Sequence, residues 1–524
     1  MKPLILLGDE AVAQAAIDAG IAGAFAYPGT PSTEIFEYVE RHKPSDRSIF
    51  TQWSSNEKVA YETALGMSYA GKRAIVSMKH VGLNVAMDAF MNSAITGVNG
   101  GMVLIVADDP GMHSSQNEQD SRFLADFARI PCLEPSTQQE AYDMTRAGLA
   151  LSEQVGLPVM VRIVTRLAHS RAAVVPGPRL EQSERPLPTD KQRYTLLPSN
   201  ARRHWSQLLG RWEQVERGLW AVEGNALALR GEPLGVIATG IAFNYLMENL
   251  GDAPEASTLK ISCWPPPMDL VRQLFDHCEE ILVLEDGYPL LEGGLKGLLN
   301  SAPRPVHGRL DGALPRTGEL DPAKVRAALG LPARPAAIPA PLPLAGRPPA
   351  LCPGCPHIDS YNVLNEVMAE AGGGRVLSDI GCYTLGALAP FEAIDTCVDM
   401  GASIGMALGA SKAGVSPAVA VIGDSTFAHS GLTGLLDAIR AEAAITVVLL
   451  DNAIVAMTGQ QDTALAGERL IATLTGLGVG PEHIRVVKPL RSRHEENLAI
   501  FREELAYQGV SVIIPSRPCI QIRN

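Results

Sequence analysis

The chain has 524 residues, 46% hydrophobic and 19% charged, with a formal net charge of −13. This globular composition excludes a disordered chain, and the acidic balance excludes broad nucleic-acid binding, which needs clustered positive charge. At about 150 residues per domain the length predicts three or four domains, and eight cysteines are too few for a disulfide framework.

The N-terminus, MKPLILLGDEAVAQ, has too short an apolar run for a signal peptide. Leu4–Leu7 reads as a buried strand that enters a helix at Gly8-Asp9. No stretch approaches the ~20 apolar residues that span a bilayer. The expectation is a cytoplasmic protein with free thiols and no membrane or nucleic-acid partner. Short apolar runs then recur at 74–78 (AIVSM), 102–107 (MVLIVA), 159–164 (VMVRIV), 235–239 (GVIAT), 281–284 (ILVL), 418–422 (AVAVI) and 445–450 (ITVVLL). Apolar strands separated by helical segments predict an α/β protein of three doubly wound, mostly parallel α/β domains. Proline clusters at 176–200 and 331–350 read as extended, stiff linkers. They divide the chain into domains at 1–175, 201–330 and 351–524. Residues 201–218 predict an amphipathic helix with Trp205, Leu208, Leu209 and Trp212 on one face.

The most informative stretch is Val421-Ile422-Gly423-Asp424-Ser425, followed by Leu449-Leu450-Asp451-Asn452. Each polar residue ends an apolar strand, and in open parallel sheets that edge binds ligands. The interval from Asp424 to Asn452 leaves room for a crossover helix. Both offer hard oxygen ligands, which suit Mg²⁺ bridging a diphosphate. Gly423 permits close backbone approach, and Ser430-Gly431-Leu432-Thr433-Gly434 opens a helix whose N–H groups face phosphate oxygens. Gly-Asp-Ser alone is more often a strand-to-helix turn with a capping side chain; the pair in strand context is the specific signal. It resembles the thiamine-diphosphate motif, GDG followed at a distance by Asn, with Ser425 replacing the last Gly.

The same region carries Cys352-Pro353-Gly354-Cys355-Pro356-His357, then Ser378-Asp379-Ile380-Gly381-Cys382, and near the end Arg517-Pro518-Cys519. Four thiolates from such positions suit one [4Fe–4S] cluster. A lone C-x2-C is more often zinc or a redox pair, and Cys397 competes with Cys519 as the fourth ligand. Cys132, Cys263 and Cys278 read as core or near-surface thiols. Gly401, Gly405 and Gly409, at helical spacing, read as positions of close packing.

With these motifs in order, the chain resembles the 2-oxoacid:ferredoxin oxidoreductases, a thiamine-diphosphate-dependent superfamily. The GDSTF and MTGQQ wording (423–427, 457–461) is similar to the large subunits of its indolepyruvate branch, in which Ser425 is a family feature. Tyr27-Pro28-Gly29-Thr30-Pro31-Ser32-Thr33-Glu34 resembles the family's YP-x-TP loop, and Ser55-Asn56-Glu57-Lys58-Val59-Ala60 its segment bearing the Glu that contacts the aminopyrimidine. Met78-Lys79-His80-Val81-Gly82-Leu83-Asn84 also matches, and the middle domain resembles the family's transketolase-C-like domain.

The resemblance implies a pyrimidine-binding (Pyr) fold over 1–175 and a diphosphate-binding (PP) fold over 351–524. It implies Glu57 and Thr30 as catalytic residues. Gly423, Asp424, Ser425, Asn452, Ile454, Thr458 and Gly459 would bind thiamine diphosphate, and Asp424 and Asn452 its Mg²⁺. Cys352, Cys355, Cys382 and Cys519 would hold a [4Fe–4S] cluster, which prefers Cys519 over Cys397. Lys79 and His80 are weaker candidates for a substrate carboxylate or the diphosphate. Implied partners are coenzyme A as co-substrate, a small β subunit and ferredoxin or another electron acceptor, in a heterotetramer or homodimeric core. Large subunits of this family continue into a ferredoxin-like domain with two C-x2-C-x2-C-x3-C-P runs; none is present in this sequence.

Decarboxylating a 2-oxoacid leaves an acyl carbanion that no ordinary side chain stabilises, so a cofactor must supply the electron sink. The expected activity is oxidative decarboxylation of an arylpyruvate such as indolepyruvate to acyl-CoA and CO₂. The alternative is a non-oxidative thiamine-diphosphate-dependent 2-oxoacid decarboxylase or carboligase, motivated by the missing ferredoxin-like runs. A non-catalytic partner subunit fits less well with both Glu57 and the Asp424/Asn452 pair.

Overall fold

The computed structural model describes residues 2–522 other than 47, 183, 232, 252–255, 335–345 and 347–348. The chain divides into two compact units, Met1–Pro339 and Ala340–Asn524. The second proline-rich joint, 331–350, lies largely outside the described residues, as do Arg523 and Asn524. No described helix is long and apolar enough to cross a membrane.

The first unit opens with strand β1 (Leu4–Leu7) and helix α1 (Gly8–Asp18). The chain then alternates β2 (Gly23–Ala26), α2 (Thr33–His42), β3 (Phe50–Trp53), α3 (Glu57–Tyr69), β4 (Ala74–Lys79), α4 (His80–Thr96) and β5 (Met102–Asp108). It continues with α5 (Ser121–Ala128), β6 (Cys132–Leu133), α6 (Gln138–Val155), β7 (Val159–Val164) and α7 (Thr165–Ala168). Strands β4, β5 and β7 are the apolar runs read from the sequence. Nearly every residue in them is buried, because helices cover both faces of a parallel sheet. The sheet runs in the order Cys263–Trp264, β6, β7, β5, β4, β2, β3, and only Cys263–Trp264 is antiparallel. Its parallel strands therefore deliver the starts of α2, α3 and α4 to one edge.

β1 departs from the expectation of a buried strand. It pairs antiparallel with Arg171–Val174 in a separate two-stranded sheet, and Ile5 is 66% exposed. The predicted helix over 201–218 is two helices, Pro198–Gly210 and Trp212–Trp220. Leu208 is buried in the first unit's core and Trp212 packs against it, whereas Trp205 and Leu209 face solvent. The first proline-rich stretch is extended, but it is tied down. Leu180 and Arg185 donate backbone bonds to Asp18 and Gly71, and Asn99 donates to the Pro186 carbonyl.

The five-stranded sheet built from Ala226–Ala228, Leu234–Thr239, Ser257–Ile261, Glu280–Leu284 and Val306–His307 lies in the same unit. It is joined to the first sheet by a buried ion network. Arg162, fully buried, contacts Asp108, Asp120 and Glu134 and donates to the Asp286 carbonyl. Arg122, also buried, pairs with Asp120, Glu134 and Glu285 and donates to the Tyr288 carbonyl. Cys132, Cys263 and Cys278 are core residues, as expected.

The second unit is a six-stranded, wholly parallel sheet. Its order is Thr396–Cys397, Arg375–Ser378, Ala418–Gly423, Ile445–Leu450, Val510–Pro515, Ile484–Val487. Four of these strands run directly into Asp379–Cys382, Asp424, Asp451–Asn452 and Ser516–Cys519. Parallel pairing alone thus gathers the chemically interesting residues at one edge. Gly405 and Gly409 do not mediate close packing: space is open around both. Gly401 does, since a Cβ there would lie 2.5 Å from the Ser430 side chain.

Candidate active site

At the carboxyl edge of the first sheet, Asn56 caps α3 by accepting a 2.9 Å bond from Val59 N–H. This fixes Glu57 as the first helical residue, and Glu57 is 6% exposed. Gly82, in the first turn of α4, makes room for it, because a Cβ there would lie 2.6 Å from Glu57 Oε1. Lys79 ends β4 beside it. Burial lowers the Lys79 pKa, and the Asp109 and Glu57 charges pull the other way. Lys79 Nζ donates to the Ser114 carbonyl at 3.0 Å. Ser114 Oγ in turn donates to the Thr30 carbonyl at 3.2 Å, linking the Thr30 loop to Lys79. Within that loop Gly29 N–H donates to Thr33 Oγ1, and Ser32 Oγ donates to the Gly29 carbonyl. His80 is 1% exposed, and neither ring nitrogen has a hydrogen-bond partner among the described residues.

In the second unit, Asp424 is 2% exposed at the end of its strand. Burial, with Asp451 beside it, pushes its carboxyl up to about 7. Its Oδ1 accepts from Ser425 N–H and its Oδ2 from Ala453 N–H at 2.8 Å, so it reaches across to the segment that holds Asn452. Asn452 Oδ1 accepts from Ile454 N–H at 3.1 Å. The buried Asp451 Oδ1 has no donor among the described residues. An oxygen-rich, desolvated pair beside an orphaned carboxylate oxygen is a donor set that fits a hard divalent cation.

Gly423 is required by a neighbour in the protein: a Cβ there would lie 2.7 Å from the Tyr383 ring. The helix expected to open at Ser430 begins earlier, at Asp424, and runs through a π turn at Phe427–Gly431 into Leu432–Arg440. The N–H groups at the strand end are therefore those following Gly423, and Ser430–Gly434 is helix interior. Ile454 is buried beside Asn452, whereas Thr458 and Gly459 belong to the following turn, where Thr458 Oγ1 donates to Gln461.

Cys382 and Cys519 follow strands that end at this edge, and Gln521 ties Cys352 to the segment after Cys519. Burial pushes the Cys382 thiol up to about 12, and the charges of Cys355, Cys519, Asp424 and Cys352 add to it. Cys355 is pushed up by burial and by Cys352 and Cys519. Cys355 N–H donates to the Cys352 carbonyl, Cys519 N–H to the Asn452 carbonyl, and Gln521 Nε2 to Cys352 Sγ. Cys397 is exposed, its thiol against the Asp379 carbonyl. Cys355 and Cys382, both raised by burial and by neighbouring thiols, fit a group that would bind them as thiolates.

Two residues here had gone without a role although both lie inside quoted motifs. His357 is 3% exposed, with Nε2 3.3 Å from Cys382 Sγ. Asp379 is fully buried, bonded by Tyr383 and Ser403, and pushed up to about 7 by burial. Their signal was the pattern CPGCPH and SDIGC, read only for its cysteines.

Comparisons with known proteins agree with this division. A family described as "Pyruvate flavodoxin/ferredoxin oxidoreductase, thiamine diP-bdg" matches residues 14–201. A second, "Thiamine pyrophosphate enzyme, C-terminal TPP binding domain", matches residues 379–513. The chain is 36% identical to the indolepyruvate oxidoreductase subunit IorA of Archaeoglobus fulgidus, over 99% of this chain and 86% of that one. It is 37% identical to the subunit of the same name from Methanothermobacter thermautotrophicus, over 99% and 87%. A solved 2-oxoglutarate:ferredoxin oxidoreductase from Magnetococcus marinus superposes with a TM-score of 0.48 and 18% identity, over 58% of this chain and 62% of that one.

Proposed function

The chain belongs to the indolepyruvate oxidoreductase subunits of the thiamine-diphosphate-dependent 2-oxoacid:ferredoxin oxidoreductases, and from that premise we propose that it oxidatively decarboxylates an arylpyruvate to an acyl-CoA and CO₂, with electrons leaving through a [4Fe–4S] cluster on Cys352, Cys355, Cys382 and Cys519. What supports the oxidative reading is that Cys382 and Cys519 follow the strands paired with those that carry Asp424 and Asn452, while Gln521 ties Cys352 to the segment after Cys519. It favours the oxidoreductase over a non-oxidative decarboxylase, which has no use for such a set.

When bound, thiamine diphosphate supplies the electron sink that the acyl carbanion needs. Glu57, held by the Asn56 cap and sheltered by Gly82, would face the aminopyrimidine, where its carboxylate could hold or give up a proton. Thr30, on a loop fixed by Ser114, orients the 2-oxoacid. Lys79, whose charge feels those of Asp109 and Glu57, offers a cation for the substrate carboxylate. Asp424 and Asn452 would hold Mg²⁺ for the diphosphate, and Gly423, Ser425, Ile454, Thr458 and Gly459 would bind that end of the cofactor. A small β subunit and ferredoxin or a similar acceptor complete the electron route, and the site of action is the cytoplasm.

The test is anaerobic purification with iron analysis, electron paramagnetic resonance and arylpyruvate-dependent dye reduction. Glu57→Gln abolishes turnover and leaves the cluster signal intact. Cys519→Ala removes the signal and Cys397→Ala does not. An iron-free protein that still consumes arylpyruvate defeats the oxidative reading.

A further inference from the structure

The first unit holds a second polar cluster that the reaction does not use. Asp9, in the first turn of α1, is 0% exposed, and neither carboxylate oxygen receives a hydrogen bond among the described residues. Glu34 lies in the first turn of α2, and its Oε2 has no hydrogen bond within 3.5 Å among the described residues. His169, directly after α7, places Nε2 3.6 Å from that oxygen. One ligand atom from each residue lies within 4.8 Å of the other two. Chain geometry builds the cluster on purpose-fit contacts: a Cβ on Gly8 would lie 2.2 Å from the Leu167 carbonyl oxygen, so only glycine lets α1 start against α7 and set Asp9 beside His169.

We propose that Asp9, Glu34 and His169 form a site for a divalent transition cation of the zinc class. A buried carboxylate with no donor is costly unless it is protonated or bound to a cation. The imidazolium form of His169 faces Glu34 but provides no donor to Asp9. Two carboxylate oxygens and one imidazole nitrogen are ligands that zinc takes, with water in the remaining positions. His169 and Glu34 side chains are 36% and 37% exposed, so an ion and its waters have a path in from solvent. The bound ion would staple the first turns of α1 and α2 to the end of α7. It would thereby brace the loop that carries Thr30, four residues before Glu34.

The full chain is equilibrated with Zn²⁺, desalted, and assayed for zinc and iron, alongside Asp9→Asn and His169→Ala. The wild type retains about one more zinc per chain than either variant, while iron is equal in all three. Zn²⁺ raises the melting temperature of the wild type and not of Asp9→Asn, in which the amide donates to Glu34. Equal zinc in the wild type and both variants overturns the proposal. So does a wild type indifferent to zinc that Asp9→Asn stabilises, which identifies the pair as carboxyls sharing a proton. Should Asp9→Asn fail to fold, the partly exposed His169→Ala makes the same comparison.

Discussion

Glu57 and Gly82 come from different helices, and their fit is the closest among the candidate residues of the first unit. A Cβ at position 82 would lie 2.6 Å from Glu57 Oε1, against the end of a side chain that can move. Alanine is the better helix former by ~1 kcal/mol. Gly82→Ala should therefore leave the melting temperature unchanged or raised, while it displaces the Glu57 carboxylate. A misplacement of this kind costs about 10²-fold in rate, and the fall should appear in kcat with the cluster spectrum intact. An unaffected kcat would mean that Glu57 does not act where it now points. Gly82 lay in a stretch quoted for Lys79 and His80, yet its purpose was invisible in the sequence. The reason it must be glycine is a carboxylate more than twenty positions away. Gly423 shows the same limit. Its identity was legible, but the ring it accommodates, Tyr383, belongs to another segment.

At the scale of elements, the buried strands were legible because parallel strands covered on both faces are written as unbroken apolar runs. Strand β1 has the same composition but is paired at an edge, which composition does not encode. The helix that starts at Asp424 was read from Ser430 because its π turn breaks the local pattern. Least visible was the junction between the seven- and five-stranded sheets, where scattered charges meet only in the folded chain. Removing Arg162 leaves Asp108 and Glu134 buried without their main counter-charge. Arg162→Met should cost about 3–5 kcal/mol, read as a lowered unfolding midpoint. Asp286 in the same junction gives a pH signature. Burial pushes its carboxyl from 3.8 up to about 6. The folded state thus holds this proton more tightly than the unfolded state does. The stabilisation is complete below the unfolded pKa and is lost as pH rises through the folded one, a change of about 3 kcal/mol. Asp286→Asn keeps the acceptor for Leu320 N–H and removes the titration. Melting curves at acid and neutral pH should show the wild type losing more stability on the way up than the variant. Equal losses would mean that Asp286 is ionised throughout.

For the whole molecule, the sequence divides into three α/β stretches, whereas contacts divide it into two units. The middle stretch lends Cys263–Trp264 to the first sheet and shares its buried ion network. Such welding depends on tertiary contacts that proline density cannot report. In the second unit the candidate cluster ligands sit near both sequence ends, Cys352 close after its start and Cys519 close before its last residue. A group bound to Cys352, Cys355, Cys382 and Cys519 would close most of that unit into one loop. Ligands that bind only the folded state stabilise it, and closing a loop of this length is worth about 5 kcal/mol of unfolded-state entropy. The first unit contains none of the four ligands. Calorimetry of the iron-loaded chain against the chain stripped by chelator should therefore show one transition moving upward on loading and another unmoved. Cys519→Ala opens the loop and should cancel that movement, whereas Cys397→Ala should preserve it. If loading raised both transitions equally, or if Cys397→Ala cancelled the shift, the assignment of the fourth ligand to Cys519 would fall.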